Sequence, residues 1–256
     1  MGVRLVWYLT MAFALAGGFP EAGSAQQNAP ALVDRFERLY RSAHTLQAAF
    51  LERYLENGKE VRSEAGTAYF ERPGKMRWEY ESPEPNLFVI DGKWSWFYVP
   101  SDHTVTRVRA RESSDWRTPL ALLAGQMRVS RICSSVELDT SSRPTDPQHT
   151  VLRCTVRQSD AGSPVPAQPG EARRGSPRER VIFELNSTTG ELSRILVSDP
   201  GGVEIEYRFA DWKVNPPLDT AKFRFAPPRG VAIVDGDLIG PDSAAAYSGA
   251  PAPGVK

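Results

Sequence analysis

The chain has 256 residues, 41% hydrophobic and 24% charged, which is enough to bury the core of one large domain. Its 31 basic residues balance 31 acidic residues, so the formal net charge is zero. This balance argues against nucleic acid as a partner, because a nucleic-acid interface needs a basic face.

The first 25 residues have the order of a secretory signal peptide. Arg4 supplies a short basic start, residues 5–16 are mostly apolar, and small residues follow at 23–25. The apolar run is shorter than the roughly 20 residues that a membrane-spanning helix needs. The sequence therefore predicts that residues 1–25 are a signal peptide and that the mature chain, beginning near Gln26, lies in the periplasm. An N-terminal membrane anchor is the alternative.

One helix and a series of strands are predicted in the mature domain, residues 26–239. Pro30 suits a first helical position, and an apolar stripe follows at helical spacing: Leu32, Phe36, Leu39, Tyr40 and Ala43. From Thr45 the apolar period changes to two, and short turn signals separate the segments. Strands are predicted near 46–56, 61–72, 75–82, 87–91, 94–99, 104–109, 127–138, 149–157, 180–186, 191–197 and 203–214. The short connections make consecutive strands antiparallel neighbours.

Three segments interrupt this pattern. Residues 119–124 are apolar and are followed by Gly125, which predicts a second, short helix. Residues 159–177 are rich in Gly, Pro, Ser and Ala and are predicted to be a flexible insertion, and residues 240–256 a disordered tail. The fold predicted from these elements is mainly β, a strongly curled antiparallel sheet whose concave face is covered by the two helices.

Large apolar side chains are concentrated in one half of the sheet. Strict alternation places Met76, Trp78 and Tyr80 on one face of a strand. The strand that carries Trp96 is apolar on both faces, so both must be covered, and a register error of one residue would exchange Trp96 for Phe97. Such aromatics can simply form a core; the other interpretation is an incompletely filled apolar cavity. Its predicted lining is Phe36, Tyr40, Leu46, Phe50, Met76, Trp78, Tyr80, Trp96, Leu120, Leu122 and Leu123.

Residue patterns typical of catalysis or metal binding are missing from the sequence. His44, His103 and His149 are scattered over a helix end, a turn and a strand start. Glu79 and Glu81 fall on an exposed polar strand face, which a solvated surface explains better than acid–base chemistry. The sequence therefore predicts no catalytic residue, no metal site and no cofactor.

The two cysteines, Cys133 and Cys154, lie at equal distances from a turn at Arg143 and Pro144. If the flanking segments pair as a hairpin, the cysteines face each other directly across the ladder. A disulfide there would close a loop of about 20 residues and contribute roughly 3 kcal/mol. Two separate buried thiols are the alternative.

Several short motifs follow one another along the chain. They are RPGKMRW at 72–78, Pro83, DGK at 91–93, WFY at 96–98, TP at 118–119 and FRFAPPRGV at 223–231. In order and spacing, over residues 32–235, they resemble the periplasmic outer-membrane lipoprotein carrier family, LolA. The resemblance implies a single unclosed antiparallel β-barrel, or half-barrel, with helices forming a lid over an apolar cavity. It further implies a monomeric carrier of lipoprotein acyl chains, loaded by an inner-membrane ABC-type release complex and unloaded by an outer-membrane receptor.

The resemblance also implies a role for Arg72. In that family the arginine before the proline donates hydrogen bonds to lid carbonyls and keeps the empty cavity closed; the alternative for Arg72 is an ordinary cation at a strand end. The sequence departs from the family at Glu52, where the family's Phe-x-Gln has glutamine, and in its insertion, tail and cysteine pair. A second function remains open, a periplasmic module with a similar half-barrel that senses lipids or lipoproteins. A third, the outer-membrane receptor, would need a lipidated cysteine after the signal.

Overall fold

The computed structural model describes residues 28–110, 122–125, 128–157, 180–198 and 201–236. Four of the sequence predictions lie wholly or largely outside these residues: the signal peptide, the start of the second helix with Leu120, the insertion at 159–177 and the tail at 240–256. Within the described ranges no helix is long and apolar enough to cross a membrane.

One long helix precedes a series of strands. Helix α1 spans Ala29–Arg41, and a single helical turn, α2, spans Val129–Ile132. The strands are β1 Thr45–Glu56, β2 Lys59–Glu71, β3 Lys75–Ser82, β4 Leu87–Ile90, β5 Trp94–Val99, β6 Thr104–Arg109, β7 Cys133–Leu138, β8 His149–Val156, β9 Arg180–Asn186, β10 Leu192–Ser198, β11 Val203–Val214 and β12 Ala232–Asp235. The predicted strands are therefore confirmed, with two corrections. The strand expected from 127 begins only at Cys133, after α2, and β12 was not predicted.

All twelve of these strands form one sheet in the order β12-β6-β5-β4-β3-β2-β1-β11-β10-β9-β8-β7. Neighbours are antiparallel except β12, which pairs in parallel with β6. The two ends of this order, β12 and β7, are not joined to each other, so the curled sheet is an unclosed barrel. The half-barrel predicted from the sequence is confirmed.

The inner face of the sheet is the face on which α1 packs. Burial alternates along β1, where Leu46, Phe50 and Tyr54 point inward, because successive side chains of a strand point to opposite faces. Helix α1 adds its own stripe, of which Phe36 and Tyr40 are buried in the same cluster. The core therefore lies between the inner face and this helix.

The outer face of the central strands is charged instead. Glu184 on β9 accepts from Arg194 on β10 at 2.9 Å, and Arg194 reaches Glu206 on β11 at 3.3 Å. The same Glu206 carboxylate is paired with Arg208 at 2.6 Å and with Arg53 on β1 at 3.3 Å. This ladder of ion pairs runs across four strands of the outer face.

The hairpin of β7 and β8 carries the two cysteines. Their sulfur atoms are bonded, with the Cα atoms 5.4 Å apart. The expectation that they face each other directly is wrong: Cys133 pairs with Val156, and Cys154 pairs with Val136. A register shift between Cys133 and Ser135 places an extra residue on β7, so the bond runs diagonally across the ladder.

The turn of this hairpin is organised by a buried carboxylate, Asp139. It accepts hydrogen bonds from the backbone and hydroxyl of Ser141, from the hydroxyl of Ser142 and from Arg153. Burial alone would raise the pKa of the Asp139 carboxyl, but these hydrogen bonds and the charge of Arg153 outweigh burial and hold it well below its usual range.

Candidate functional site

Trp78 lies at the centre of the inner face, with 1% of its surface exposed. Its ring is 4.6 Å from that of Phe50 on β1 and 6.0 Å from that of Phe70 on β2. On the other side of β1, Tyr207 and Phe209 of β11 approach it at 5.5 and 6.0 Å. Aromatic rings from four adjacent strands thus form one continuous apolar surface.

Most of the predicted cavity residues belong to this surface and its cover. One buried cluster contains Phe36, Tyr40, Leu46, Phe50, Met76, Trp78, Leu122 and Leu123, with Tyr80 packed at its edge. The inner face is closed in this state, because the rings are in contact and covered by α1 and by residues 122–125. The same side chains therefore form a core here, and an apolar ligand would have to displace the cover to reach them.

Trp96 is not part of this surface, and its prediction as a cavity residue is wrong. Trp96 pairs with Val89 and is buried in a separate cluster on the outer face. The register explains the error: Trp78 pairs with Phe88, and Phe88 pairs with Phe97, so these three residues share the inner face. Phe97 therefore has the position that was assigned to Trp96.

The outer aromatic cluster is covered by the segment that precedes β12. Phe225 packs against Trp96, with ring centroids 5.6 Å apart, and against Tyr98 at 5.8 Å. The indole N–H of Trp96 donates to Asp91 at 2.9 Å. The prediction that this strand is covered on both faces is confirmed, and the cover explains the apolar residues in the FRFAPPRGV motif.

Six buried aromatics of this cluster were missed by the sequence prediction: Tyr54, Phe70, Phe88, Phe183, Tyr207 and Phe209. A signal for two of them exists, because Ile205, Tyr207 and Phe209 alternate with charged residues along β11. That alternation shows which residues share a face, but only pairing with β1 shows that this face is the one occupied by Trp78.

Helix α1 is fixed to the sheet at one side. The phenol oxygen of Tyr40 accepts the backbone N–H of Leu192 at 2.9 Å, and Arg35 donates to the carbonyl of Ser187 at 2.5 Å. Burial raises the pKa of the Tyr40 phenol far above its usual value. Gly190, at φ +77°, lets the β9–β10 turn approach the helix backbone, since a Cβ there would lie 2.8 Å from the backbone nitrogen of Phe36.

The second part of the cover is residues 122–125, which we call the lid turn. Leu123 and Ala124 are fully buried, and Gly125 closes the turn with φ +75° and an N–H donated to the Leu122 carbonyl at 3.1 Å. A backbone hydrogen bond, from the Gly74 N–H to the Ala124 carbonyl at 3.0 Å, joins the lid turn to the β2–β3 turn.

Arg72 lies where the lid turn meets the end of β2. Its backbone N–H donates to the His44 carbonyl at 2.9 Å, and its side chain packs over Gly125, where a Cβ would lie 2.8 Å from Cδ, Nε and Cζ. The Nε atom is buried and has no hydrogen-bond partner in the described part of the chain. Burial and the charge of Arg41 lower the pKa of Arg72. Arg72 is therefore in contact with the lid turn, whereas hydrogen bonds from its guanidinium to lid-turn carbonyls, which the resemblance implies, are not found among the described residues.

Acidic side chains lie at the other end of the inner face. Glu52 accepts hydrogen bonds from the hydroxyl groups of Tyr80 at 2.8 Å and Tyr207 at 3.1 Å. Glu64 is opposite Glu52 in the β1–β2 ladder, and burial raises the pKa of Glu64. The inner face is therefore apolar around Trp78 and polar beyond Tyr80.

Comparison with known proteins identifies relatives over most of the chain. The family model described as outer membrane lipoprotein carrier protein LolA matches residues 41–145. An outer-membrane lipoprotein carrier protein from Chromobacterium violaceum is 32% identical over 226 residues, which are 88% of this chain and 96% of that protein. One from Dechloromonas aromatica is 28% identical over 203 residues, 79% of this chain and 86% of that protein. Among solved structures, an uncharacterized conserved protein from Thermus thermophilus superposes with a TM-score of 0.49 at 15% identity, over 81% of this chain and 99% of that chain.

Proposed function

Because this chain belongs to the outer-membrane lipoprotein carrier protein family, LolA, we propose that it carries lipoproteins across the periplasm with their acyl chains on the inner face of the half-barrel. The family is one of carriers and not of enzymes, in agreement with the absence of catalytic patterns from the sequence. The proposed partners are lipoproteins, an inner-membrane ABC-type release complex and an outer-membrane receptor.

The observation that carries the proposal is the aromatic surface around Trp78, which α1 and the lid turn cover. Hydrocarbon gains about 0.8 kcal/mol for each CH₂ group that it buries, so an acyl chain in contact with these rings is bound strongly. The Gly74–Ala124 hydrogen bond joins the lid turn to the β2–β3 turn, so cargo that displaces the lid turn must break this bond.

A closed empty state also solves the problem of release. If cargo must displace the cover, its apparent affinity is reduced by the stability of the closed state. We propose that Arg72, at the junction of the lid turn and β2, contributes to that closed state through its contact with Gly125. The sequence has no nucleotide-binding motif, so the energy for loading is proposed to come from the release complex.

One polar group on the inner face is suited to the cargo. The indole N–H of Trp78 is buried and has no hydrogen-bond partner among the described residues. A buried donor without a partner is costly, and an acceptor that replaces the missing partner is favoured. The ester carbonyl oxygens of an acylated glycerol are such acceptors, so Trp78 is proposed to bind them when the cover is displaced.

The chain offers a matched pair for testing this proposal. Phe97 and Tyr98 are adjacent, aromatic and partly exposed, but Phe97 packs on the inner cluster and Tyr98 on the outer one. We would introduce the photo-reactive residue p-benzoylphenylalanine at either position and irradiate each protein with a triacylated lipoprotein. The expected result is a crosslink to the acyl chains from position 97 and not from position 98. Equal crosslinking from both positions, or crosslinking from 98 alone, would show that the inner face is not the cargo site.

A further inference from the structure

A cavity of about 530 Å³ lies outside the aromatic surface, between the end of α1, the lid turn and α2. Its wall contains four arginines and one acidic residue: Arg41, Arg72, Arg128, Arg131 and Glu37. The proposed carrier function gives a role to Arg72 and none to the other charged residues of this wall. We call this space the arginine cavity.

Glu37, the one acid among the described lining residues, cannot balance these four cations. One carboxylate oxygen of Glu37 accepts from Arg41 at 2.5 Å, and the other accepts the backbone N–H of Val129 at 2.8 Å. Both oxygens are therefore already engaged. Among the described residues that line the cavity, four positive side chains and one negative side chain leave three positive charges.

The remaining guanidinium groups lack counter-charges. Arg72, Arg128 and Arg131 have no side-chain ion pair in the part of the chain that the structure describes. Arg72 in addition has its Nε buried without a partner, and burial and Arg41 lower its pKa, as expected for a cation in a site that lacks an anion. Unpaired guanidinium groups that share a partly enclosed space strengthen the binding of an anion.

We propose that the arginine cavity binds a phosphate group, carried either by an anionic phospholipid or by a small free phosphate. Each guanidinium presents a planar fork of donors that matches the oxygens of a phosphate, and several forks around one cavity can bind several of its oxygens. A carboxylate has only two oxygens and one charge, which fits a wall with three net positive charges less well. The volume also leaves room for the group that bears the phosphate.

This site goes beyond the proposed carrier function and does not depend on the identity of the cargo. It would, however, act on the same lid, because Arg72 lines the arginine cavity and also packs over Gly125. A bound phosphate would hold the Arg72 guanidinium on the cavity side and so change its contact with the lid turn.

The test uses two double variants of equal charge. Arg128→Gln with Arg131→Gln removes two exposed cavity arginines, whereas Arg38→Gln with Arg143→Gln removes two arginines that do not line the cavity. Binding of inorganic phosphate is measured by calorimetry at low ionic strength. Binding to vesicles of phosphatidylglycerol and phosphatidylcholine, and of phosphatidylcholine alone, is measured by flotation. Thermal unfolding of both variants confirms that they are folded.

At least one probe should bind the wild type and the Arg38→Gln, Arg143→Gln control variant with equal affinity. Its binding to the Arg128→Gln, Arg131→Gln cavity variant should be at least tenfold weaker. A cavity-dependent difference with phosphatidylglycerol vesicles alone identifies a lipid headgroup, and one with inorganic phosphate alone identifies a free phosphate. In the wild type, the bound probe should also shift the NMR resonance of the Arg72 Nε–H. The proposal is overturned if neither probe binds the wild type, or if the two double variants weaken binding equally, since attraction would then depend on overall charge.

Discussion

A methyl group added at Gly125 should loosen the lid turn by displacing Arg72. The Cβ of Gly125→Ala would lie 2.8 Å from Cδ, Nε and Cζ of Arg72, closer than packed carbon atoms approach. Gly92 is the matched control: its φ is also positive, at +94°, but no atom lies within 4 Å of an added Cβ. Both alanine variants therefore have the backbone strain, and only one has the clash.

The expected loss of stability at each position follows from the backbone strain and the clash. An alanine with positive φ costs about 1–2 kcal/mol at either position. The clash at Gly125 adds about 1 kcal/mol, the low end for overpacking, because the displaced atoms belong to the flexible end of Arg72. Since about 1.4 kcal/mol is a factor of ten, the clash corresponds to about a fivefold change in an opening equilibrium.

Amide hydrogen exchange at Gly74 measures that opening, because its N–H donates to the Ala124 carbonyl of the lid turn. Gly125→Ala should accelerate this exchange, whereas Gly92→Ala should leave it unchanged. In an Arg72→Ala background the strain persists and the clash is absent, so the effect of Gly125→Ala should be about fivefold smaller. If Gly125→Ala accelerates exchange equally with and without Arg72, the side chain does not restrain the lid turn.

Arg72→Leu should bind a lipoprotein at least as tightly as the wild type and transfer it more slowly to acceptor membranes, because the competing closed state is weakened; equal transfer rates would leave Arg72 without that role. Replacing Cys133 and Cys154 by serine should lower the free energy of unfolding in urea by about 3 kcal/mol, since the bond joins residues 21 positions apart. No loss of stability would show that the bond does not constrain the unfolded chain. Asp139→Asn should be less stable than the wild type at neutral pH. Hydrogen bonds outweigh burial and lower the pKa of Asp139, so its contribution is present above the unfolded pKa of about 3.9 and lost as the pH falls through the lower folded pKa. A stability difference that is constant from about pH 7 to about pH 2 would contradict this.

The strands could be predicted because successive side chains of a strand point to opposite faces of the sheet, which are buried to different extents. Burial alternates along β1, where the large apolar residues Leu46, Phe50 and Tyr54 lie four positions apart on the inner face, and this spacing is visible in the sequence. β12 has no such pattern: its four residues are exposed, and it is defined by parallel pairing with β6. A short exposed edge strand leaves no periodic signal from which it could be predicted.

Alternation identifies the residues that share a face of one strand, but it does not say which face of the sheet that is. Trp96 was assigned to the wrong face for this reason, since only the pairing of Trp78, Phe88 and Phe97 places Phe97 inside. The cysteine pair shows the same limit, because the register shift after Cys133 makes the bonded residues diagonal neighbours.

The arginine cavity could not be predicted from sequence at all. Its cations come from the end of α1, the end of β2 and the start of α2, and no motif joins Arg41, Arg72, Arg128 and Arg131 along the chain. The cover of the inner face was easier to predict from the sequence. The apolar stripe of α1 and the apolar run before Gly125 each needed an apolar surface to pack against.

Native mass spectrometry of the mature chain with a lipoprotein tests the carrier function most directly. One cargo is triacylated, and the other is the same protein with its lipidated cysteine replaced by serine, so that the two differ only in the lipid. A soluble one-to-one complex that retains the acyl chains is expected with the first cargo and no complex with the second. Equal binding of both cargoes, or of neither, would contradict the assignment of the inner face as an acyl-chain site.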